Sequence, residues 1–206
     1  MPYYKNESIN ILFIHIPKTG GSNIEQNLKK KCNQTVFSQW KNDLLPSPYN
    51  NVSLQHQTYM TIYNYKNELN IDFENIKTFA IVRNPYDRII SDLFLFKFIN
   101  KNTSPEKVFD LIKNNYLYRD NLDNHNIPQY KFVTNEKNEL IENIKIFKTE
   151  TLNDFNKEIN NYLNLNINLK KQNVNKDYSE YLNNDSIKLI NEFYSKDFEL
   201  LGYDKK

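Results

Sequence analysis

Cysteine is almost missing from this 206-residue chain: Cys32 stands alone, so no intrachain disulfide can form and a reducing, cytoplasmic setting is expected. No set of Cys and His residues has the spacing of a zinc site, and no metal is expected. Long apolar runs are missing as well. Nothing approaches the roughly 18 consecutive apolar residues that a membrane span needs, and Met1-Pro2-Tyr3-Tyr4-Lys5-Asn6-Glu7 leads straight into a short strand, so neither a signal peptide nor an anchor is expected. Charge of one sign is also lacking. With 27 Lys and Arg against 25 Asp and Glu the net charge is +2, so an acidic partner would have to be held by local clusters. Lys29-Lys30-Lys31 and Lys170-Lys171 are the candidates, although a solvated helix face is the simpler account of both. Basic and aromatic residues interleave without any nucleic-acid motif, and nucleic acid is not expected as a partner.

What the chain does have is enough apolar and aromatic residues, 39% and 14%, for one compact soluble domain over residues 1–206. Its polar character comes largely from 35 Asn residues, as in the proteins of an A/T-rich genome. Ile11-Leu12-Phe13-Ile14-His15-Ile16 is a continuous apolar run ended by Pro17, the pattern of a strand buried on both faces of a parallel sheet. Ser22-Asn23-Ile24-Glu25 has capping-box spacing and opens a helix with Ile24 and Leu28 inward. Lys77 to Arg83 repeats the buried strand, stopped by Asn84-Pro85, and a helix follows to about Asn100. A further helix starts at Ser104-Pro105, a third strand covers Ile144 to Phe147, and a helix capped by Thr151 to Asp154 ends near Leu163. A last helix runs from about Asp185 to Tyr194, before a turn at Asp197 to Tyr203. The alternation predicts an α/β, three-layer, P-loop-like fold with a central parallel sheet flanked by helices.

A strand that ends in a glycine loop opening a helix aims backbone N–H groups and a helix dipole at one point, which is an anion site. Lys18 adds a full charge there. The loop Lys18-Thr19-Gly20-Gly21-Ser22 is not the triphosphate-binding P-loop, whose lysine follows its glycines; a tight turn at Gly20-Gly21 is the bland alternative. The second strand end carries Arg83, with Asp87, Arg88 and Ser91 on the first two helical turns. Two neighbouring strand ends, each with a cation and hydroxyls, suit a ligand with two separate anionic groups. An ion pair for Arg83 and helix packing for Ser91 are the competing explanations.

These residues resemble a known family. Ile14 to Ser22, followed by Ala80 to Ser91, is similar to the carbohydrate sulfotransferases of the heparan sulfate 2-O-sulfotransferase type. Segments at His125-Asn126-Ile127-Pro128-Gln129, Phe147 to Phe155 and Tyr194 to Tyr203 resemble the same family in the same order. The resemblance implies 3′-phosphoadenosine 5′-phosphosulfate as donor and adenosine 3′,5′-bisphosphate as product. It implies that Lys18, Thr19, Gly20, Gly21, Ser22 and Asn23 hold the 5′ end, and that Arg83 and Ser91 hold the 3′-phosphate. Lys18 would stabilise charge on the departing phosphate.

The acceptor hydroxyl must lose a proton, which calls for a base. His56, between the two boxes and followed by Tyr59, falls where the family carries a catalytic histidine and is taken as the base. His15 is expected to be structural, facing the core or packing beneath the loop. His125 is the alternative base or an acceptor contact, and Glu25, Asp87 or Asp92 would remain as carboxylate bases. A saccharide is the expected acceptor; a protein tyrosine or a small molecule is the alternative, as is a non-catalytic nucleotide-binding protein. A nucleotide kinase would need a properly ordered phosphate loop and a metal-holding Asp that the sequence lacks. Unlike vertebrate relatives, the chain is expected to have no anchor and no disulfides, which fits a soluble microbial or viral enzyme. Its sequence also lacks a dense basic groove, which gives a smaller or less acidic acceptor equal weight. Its Asn-X-Ser/Thr matches are what 35 asparagines produce by chance. Trp40, Tyr59, Tyr63, Tyr65, Tyr116 and Tyr118 could stack on sugar or adenine rings.

Overall fold

The structure, a computed structural model, describes residues 1–32, 34–36, 43–151, 155–167 and 178–206, with residues 34–36 and 155 described by backbone alone. Trp40, Lys170-Lys171 and residues 152–154 of the expected helix cap lie outside the described residues. The elements are β1 (Tyr3–Lys5), β2 (Asn10–Ile14), α1 (Gly21–Lys31), β3 (Gln34–Val36), α2 (Tyr59–Asn64), β4 (Lys77–Val82), α3 (Pro85–Leu95), α4 (Pro105–Leu111), β5 (Ile144–Lys148), α5 (Phe155–Leu163), α6 (Asn184–Phe193) and α7 (Ser195–Leu201).

The sheet runs β3-β1-β2-β4-β5. The three strands read from the sequence are parallel as expected, β2 against β4 and β4 against β5, and the sheet is extended by antiparallel strands, β1 pairing with both β2 and β3. The reason is chain length. Only residues 6–9 join β1 to β2, closed by the Asn6 N–H on the Ile9 carbonyl at 2.9 Å, and a parallel crossover needs a dozen residues or more.

Side-chain alternation along β2 and β4 sorts the core into two layers. Ile11, Phe13, Phe79 and Ile81 pack with Ile24 and Leu28 of α1 and Ile159 and Leu163 of α5. Leu12, Ile14, Ala80 and Val82 pack on the opposite face with Tyr59 and Ile62 of α2, and with Phe132 and Leu201. A third cluster joins α3, α4, α6 and α7 through Ile90, Leu93, Val108, Ile190 and Phe198. Elements therefore cover both faces of the sheet in an α/β architecture. Among the described residues no helix is long and apolar enough to cross a membrane.

Two boundaries differ from the sequence expectation. α3 stops at Leu95 rather than near Asn100, because Lys97 turns left-handed (φ 57°), and the N–H groups of Lys97 and Phe98 close back on the carbonyls of Phe94 and Leu93, the bonding of a Schellman stop. The turn expected at Asp197 to Tyr203 is a helix, α7, ended by left-handed Gly202.

Candidate active site

The loop between β2 and α1 is built from two left-handed residues, Lys18 (φ 65°) and Gly20 (φ 85°). Glycine takes that conformation freely, whereas in lysine it costs about 1–2 kcal/mol, so other contacts must hold Lys18. They come from arginines: Arg83 Nη1 donates to the Lys18 carbonyl at 3.3 Å, and Arg88 Nε donates to the Pro17 carbonyl at 3.1 Å. Thr19 is fully buried. Its hydroxyl donates to the Ile16 carbonyl at 2.8 Å and its carbonyl accepts from Thr149 Oγ1 at 2.7 Å, so it faces the fold and serves the loop through its backbone. At Gly21 an added Cβ would lie 2.9 Å from the ring of His15 and from Phe13; only glycine fits.

The expected capping box does not form. α1 starts after Gly20, with no side-chain cap, because the Glu25 carboxylate pairs with His15 rather than reaching back to Ser22, which is exposed. No side-chain cap thus closes the start of this 11-residue helix, and a helix start favours an anion. Asn23 is buried, its carbonyl accepting from Asn27 Nδ2 at 2.8 Å.

At the end of β4, Asn84 caps α3 by accepting from the Tyr86 N–H, with Pro85 in the first turn. Gln129 grips the Arg83 backbone in both directions, accepting its N–H at 2.9 Å and donating to its carbonyl at 2.8 Å. Buried Asp197 in turn accepts the Gln129 N–H at 2.9 Å. The Arg83 guanidinium lies 5.7 Å from the centre of the Tyr178 ring. Two helical turns on, Ser91 shares with Lys18 the wall of a cavity of about 930 Å³ that Phe94, Lys101 and Tyr178 also line. Burial pulls the Lys18 ammonium below its ordinary pKa; Asp92 opposes this and Arg83 adds to it. Arg88 is 2% exposed and binds three carbonyls, those of Pro17, Ile127 and His125.

The three histidines, 41 and 69 residues apart in sequence, stand in a row. The His15 and His56 rings meet edge to face at 5.3 Å between centroids, and those of His56 and His125 at 4.9 Å. Each has a carboxylate on Nδ1: Glu25 on His15, Asp123 on His56 at 2.7 Å, Asp92 on His125 at 2.7 Å. Burial pulls the His56 pKa down to about 4, with His15 and His125 adding to the effect and Asp123 opposing it. His56 is therefore neutral near pH 7, one ring nitrogen carrying a proton and the other a lone pair, with Asp123 standing at Nδ1. Burial pushes the Asp123 carboxyl up, but bonds from His56 and Ser53 outweigh it and leave the group below its ordinary value. Glu25 is lowered in the same way, His15 and Lys29 outweighing burial.

The fold also gathers what spacing did not foretell: ligand atoms of His56, Asp123 and His125 within 4.8 Å of one another, a group that could hold a metal ion. The Nδ1 bonds already engage both imidazoles with Asp123 and Asp92.

Of the residues singled out from sequence, Lys18 and Ser91 share one cavity, Arg83 joins them through the Lys18 carbonyl, and Glu25 and Asp92 are partners of histidines. Asp87 lies half-buried in the first turn of α3. Tyr116 is core, its hydroxyl on Asp92, while Tyr118 is exposed. Sequence reasoning missed Asp123, Gln129 and Asp197. The last two lie inside segments whose family resemblance was visible, and the contacts on Arg83 explain those segments.

An anion on the first loop would lie beside half-buried Lys18, and the row of imidazoles starts at His15, against Gly21 of the same loop: the equipment of an enzyme that transfers a group from an anionic donor. Which group is answered by comparison, since residues 2–204 match the model of the sulfotransferase family, and the chain belongs to that family. No characterised protein and no solved structure is significantly similar to it.

Proposed function

We propose that the chain moves a sulfuryl group from 3′-phosphoadenosine 5′-phosphosulfate to a saccharide hydroxyl, in line and without a metal, as the resemblance of its two boxes to the heparan sulfate 2-O-sulfotransferase type suggests. On this reading the whole chain is one P-loop-like domain working in a reducing, cytoplasmic compartment. The observation that carries it is that Lys18 and Ser91, one from each box, border a single cavity, although 72 residues of sequence separate them.

The donor's 5′ end fits the uncapped start of α1, where Gly21 leaves no space for a side chain, and its 3′-phosphate fits Arg83 and Ser91. In the transfer the bond from sulfur to the phosphate oxygen breaks and one from sulfur to the acceptor oxygen forms. Lys18 supplies positive charge to the phosphate oxygen as it departs, and His56 Nε2 takes the acceptor's proton. Because the donor already carries the reactive group, alignment and charge neutralisation do the work.

The test is calorimetric titration with adenosine 3′,5′-bisphosphate, with ATP plus Mg²⁺ and adenosine 5′-phosphate as controls. Selective binding of the bisphosphate is expected, and an acceptor screen follows. Preference for ATP with Mg²⁺, or no binding to any of the three, overturns the reading.

A further inference from the structure

We propose that Asp123, a residue outside both sequence boxes, is the positioning residue that fixes His56 as the Nδ1–H tautomer and so leaves Nε2 as the only basic ring nitrogen. This deepens the proposed function, and its consequence for rate rests on His56 being the base.

The geometry is specific. Asp123 Oδ2 meets His56 Nδ1 at 2.7 Å and also accepts from Ser53 Oγ at 2.8 Å, while Oδ1 accepts the Ser53 N–H at 2.6 Å. Both carboxylate oxygens are thus committed to donors, and His56 must supply N–H, not a lone pair, at Nδ1. The neighbouring Asn124 holds the same residue from its other side, donating Nδ2 to the His56 carbonyl at 2.9 Å. Two adjacent side chains clamp ring and backbone together.

The backbone beneath them is built for this. Asp123 (φ 51°) and Asn124 (φ 61°) are both left-handed, as is Asn121 (φ 63°). Asp and Asn tolerate that conformation better than other residues with side chains, though at a cost, and such strain persists where surrounding contacts over-determine it. Here those contacts end on His56 and on Ser53, three residues before it. The groups facing the His56 ring are Asp123, His15 and His125; only Asp123 bonds to a ring nitrogen among the described residues, and only it can select the tautomer.

The sharp variant is Asp123→Asn. Its Oδ1 can keep the Ser53 N–H, which places an amide NH₂ where Oδ2 faced Nδ1. A donor at that point demands a lone pair on Nδ1 and moves the ring proton to Nε2. Asparagine also keeps the tolerance for positive φ, so the loop survives. The experiment is ¹⁵N NMR of the full chain with labelled histidine, comparing wild type, Asp123→Asn and Asp123→Ala. The wild type should show His56 protonated at Nδ1 alone; Asp123→Asn should invert this, and Asp123→Ala should give a mixture. His15 and His125 serve as internal standards of folding in the same spectra. Once an acceptor is found, transfer by Asp123→Asn should fall on the order of 10²-fold or more, with bisphosphate affinity unchanged. His56 remaining an Nδ1–H tautomer in both variants overturns the proposal. Because the spectra read the tautomer whatever the site transfers, that failure is distinct from failure of the sulfotransferase reading, which the titration decides.

Discussion

The guanidinium of Arg83, at the end of β4, donates to the main-chain carbonyl of Lys18, beyond the end of β2, at 3.3 Å. This bond ties together two loops that lie side by side only because β2 and β4 are parallel neighbours. It also helps to hold Lys18 in a left-handed backbone conformation, at the wall of the cavity it shares with Ser91. Arg83 thus has a structural task in addition to the anion-binding one proposed for it.

Arg83→Ala should weaken bisphosphate binding by about 10-fold to 100-fold, the loss expected for a charge-assisted bond. Arg83→Lys should not restore it, since a single ammonium cannot serve both the Lys18 carbonyl and a phosphate in the geometry of the guanidinium fork. Titration calorimetry reads both; full rescue by lysine would remove Arg83 from the site.

Lys18→Ala should act on rate more than on binding. A loss of about 10²-fold to 10³-fold in turnover is expected for removing one group that stabilises a developing oxyanion, with a much smaller change in bisphosphate affinity. Steady-state kinetics beside calorimetry separates the two effects, and lost affinity with unchanged turnover would mean that Lys18 and Arg83 have exchanged roles.

Gly21→Ala should destabilise the protein by about 1–3 kcal/mol through overpacking. The new methyl would press on the His15 ring and Phe13 at 2.9 Å, and His15 cannot yield freely because Glu25 holds it. Gly202→Ala meets nothing closer than 3.5 Å and should cost about 1–2 kcal/mol through its positive φ alone. Urea denaturation with an assay of bisphosphate binding should show only the first variant losing both stability and affinity.

Stability should fall on acidification through His56. Its pKa drops from the ordinary 6.5 to about 4 in the folded protein, so between those values the unfolded chain binds the proton and the folded one does not. Full stability is present above about pH 6.5 and is lost as pH falls toward 4, by roughly 3 kcal/mol at most. His56→Gln should flatten that part of the urea-midpoint profile; an unchanged slope refutes the assignment. The acid limb of the transfer rate should likewise lie below pH 6.5.

Arg88→Lys should lower stability by about 2–4 kcal/mol while preserving charge. An ammonium cannot reach the carbonyls of Pro17, Ile127 and His125 together, and orphaned buried acceptors carry the penalty. Thermal melts check this, and a melting temperature equal to wild type would show that water replaces the fork.

The local pattern of the sequence was sufficient for both strand–loop–helix units and for His15 as a buried residue at the end of β2. Apolar runs, prolines and glycines act over a few residues, so these features are legible without knowing the neighbours. Tertiary structure decided what depends on distant partners. Glu25 looked like half of a capping box and became the Nδ1 partner of His15, since a buried imidazole ten residues back competes for the carboxylate better than an exposed helix start does. The antiparallel β1 followed from a connection too short to cross over. Asp123 carries no motif, and its place on His56 exists only because the chain returns 67 residues later in a left-handed turn. Which carboxylate each histidine receives is a property of packing, and no spacing along the chain encodes it.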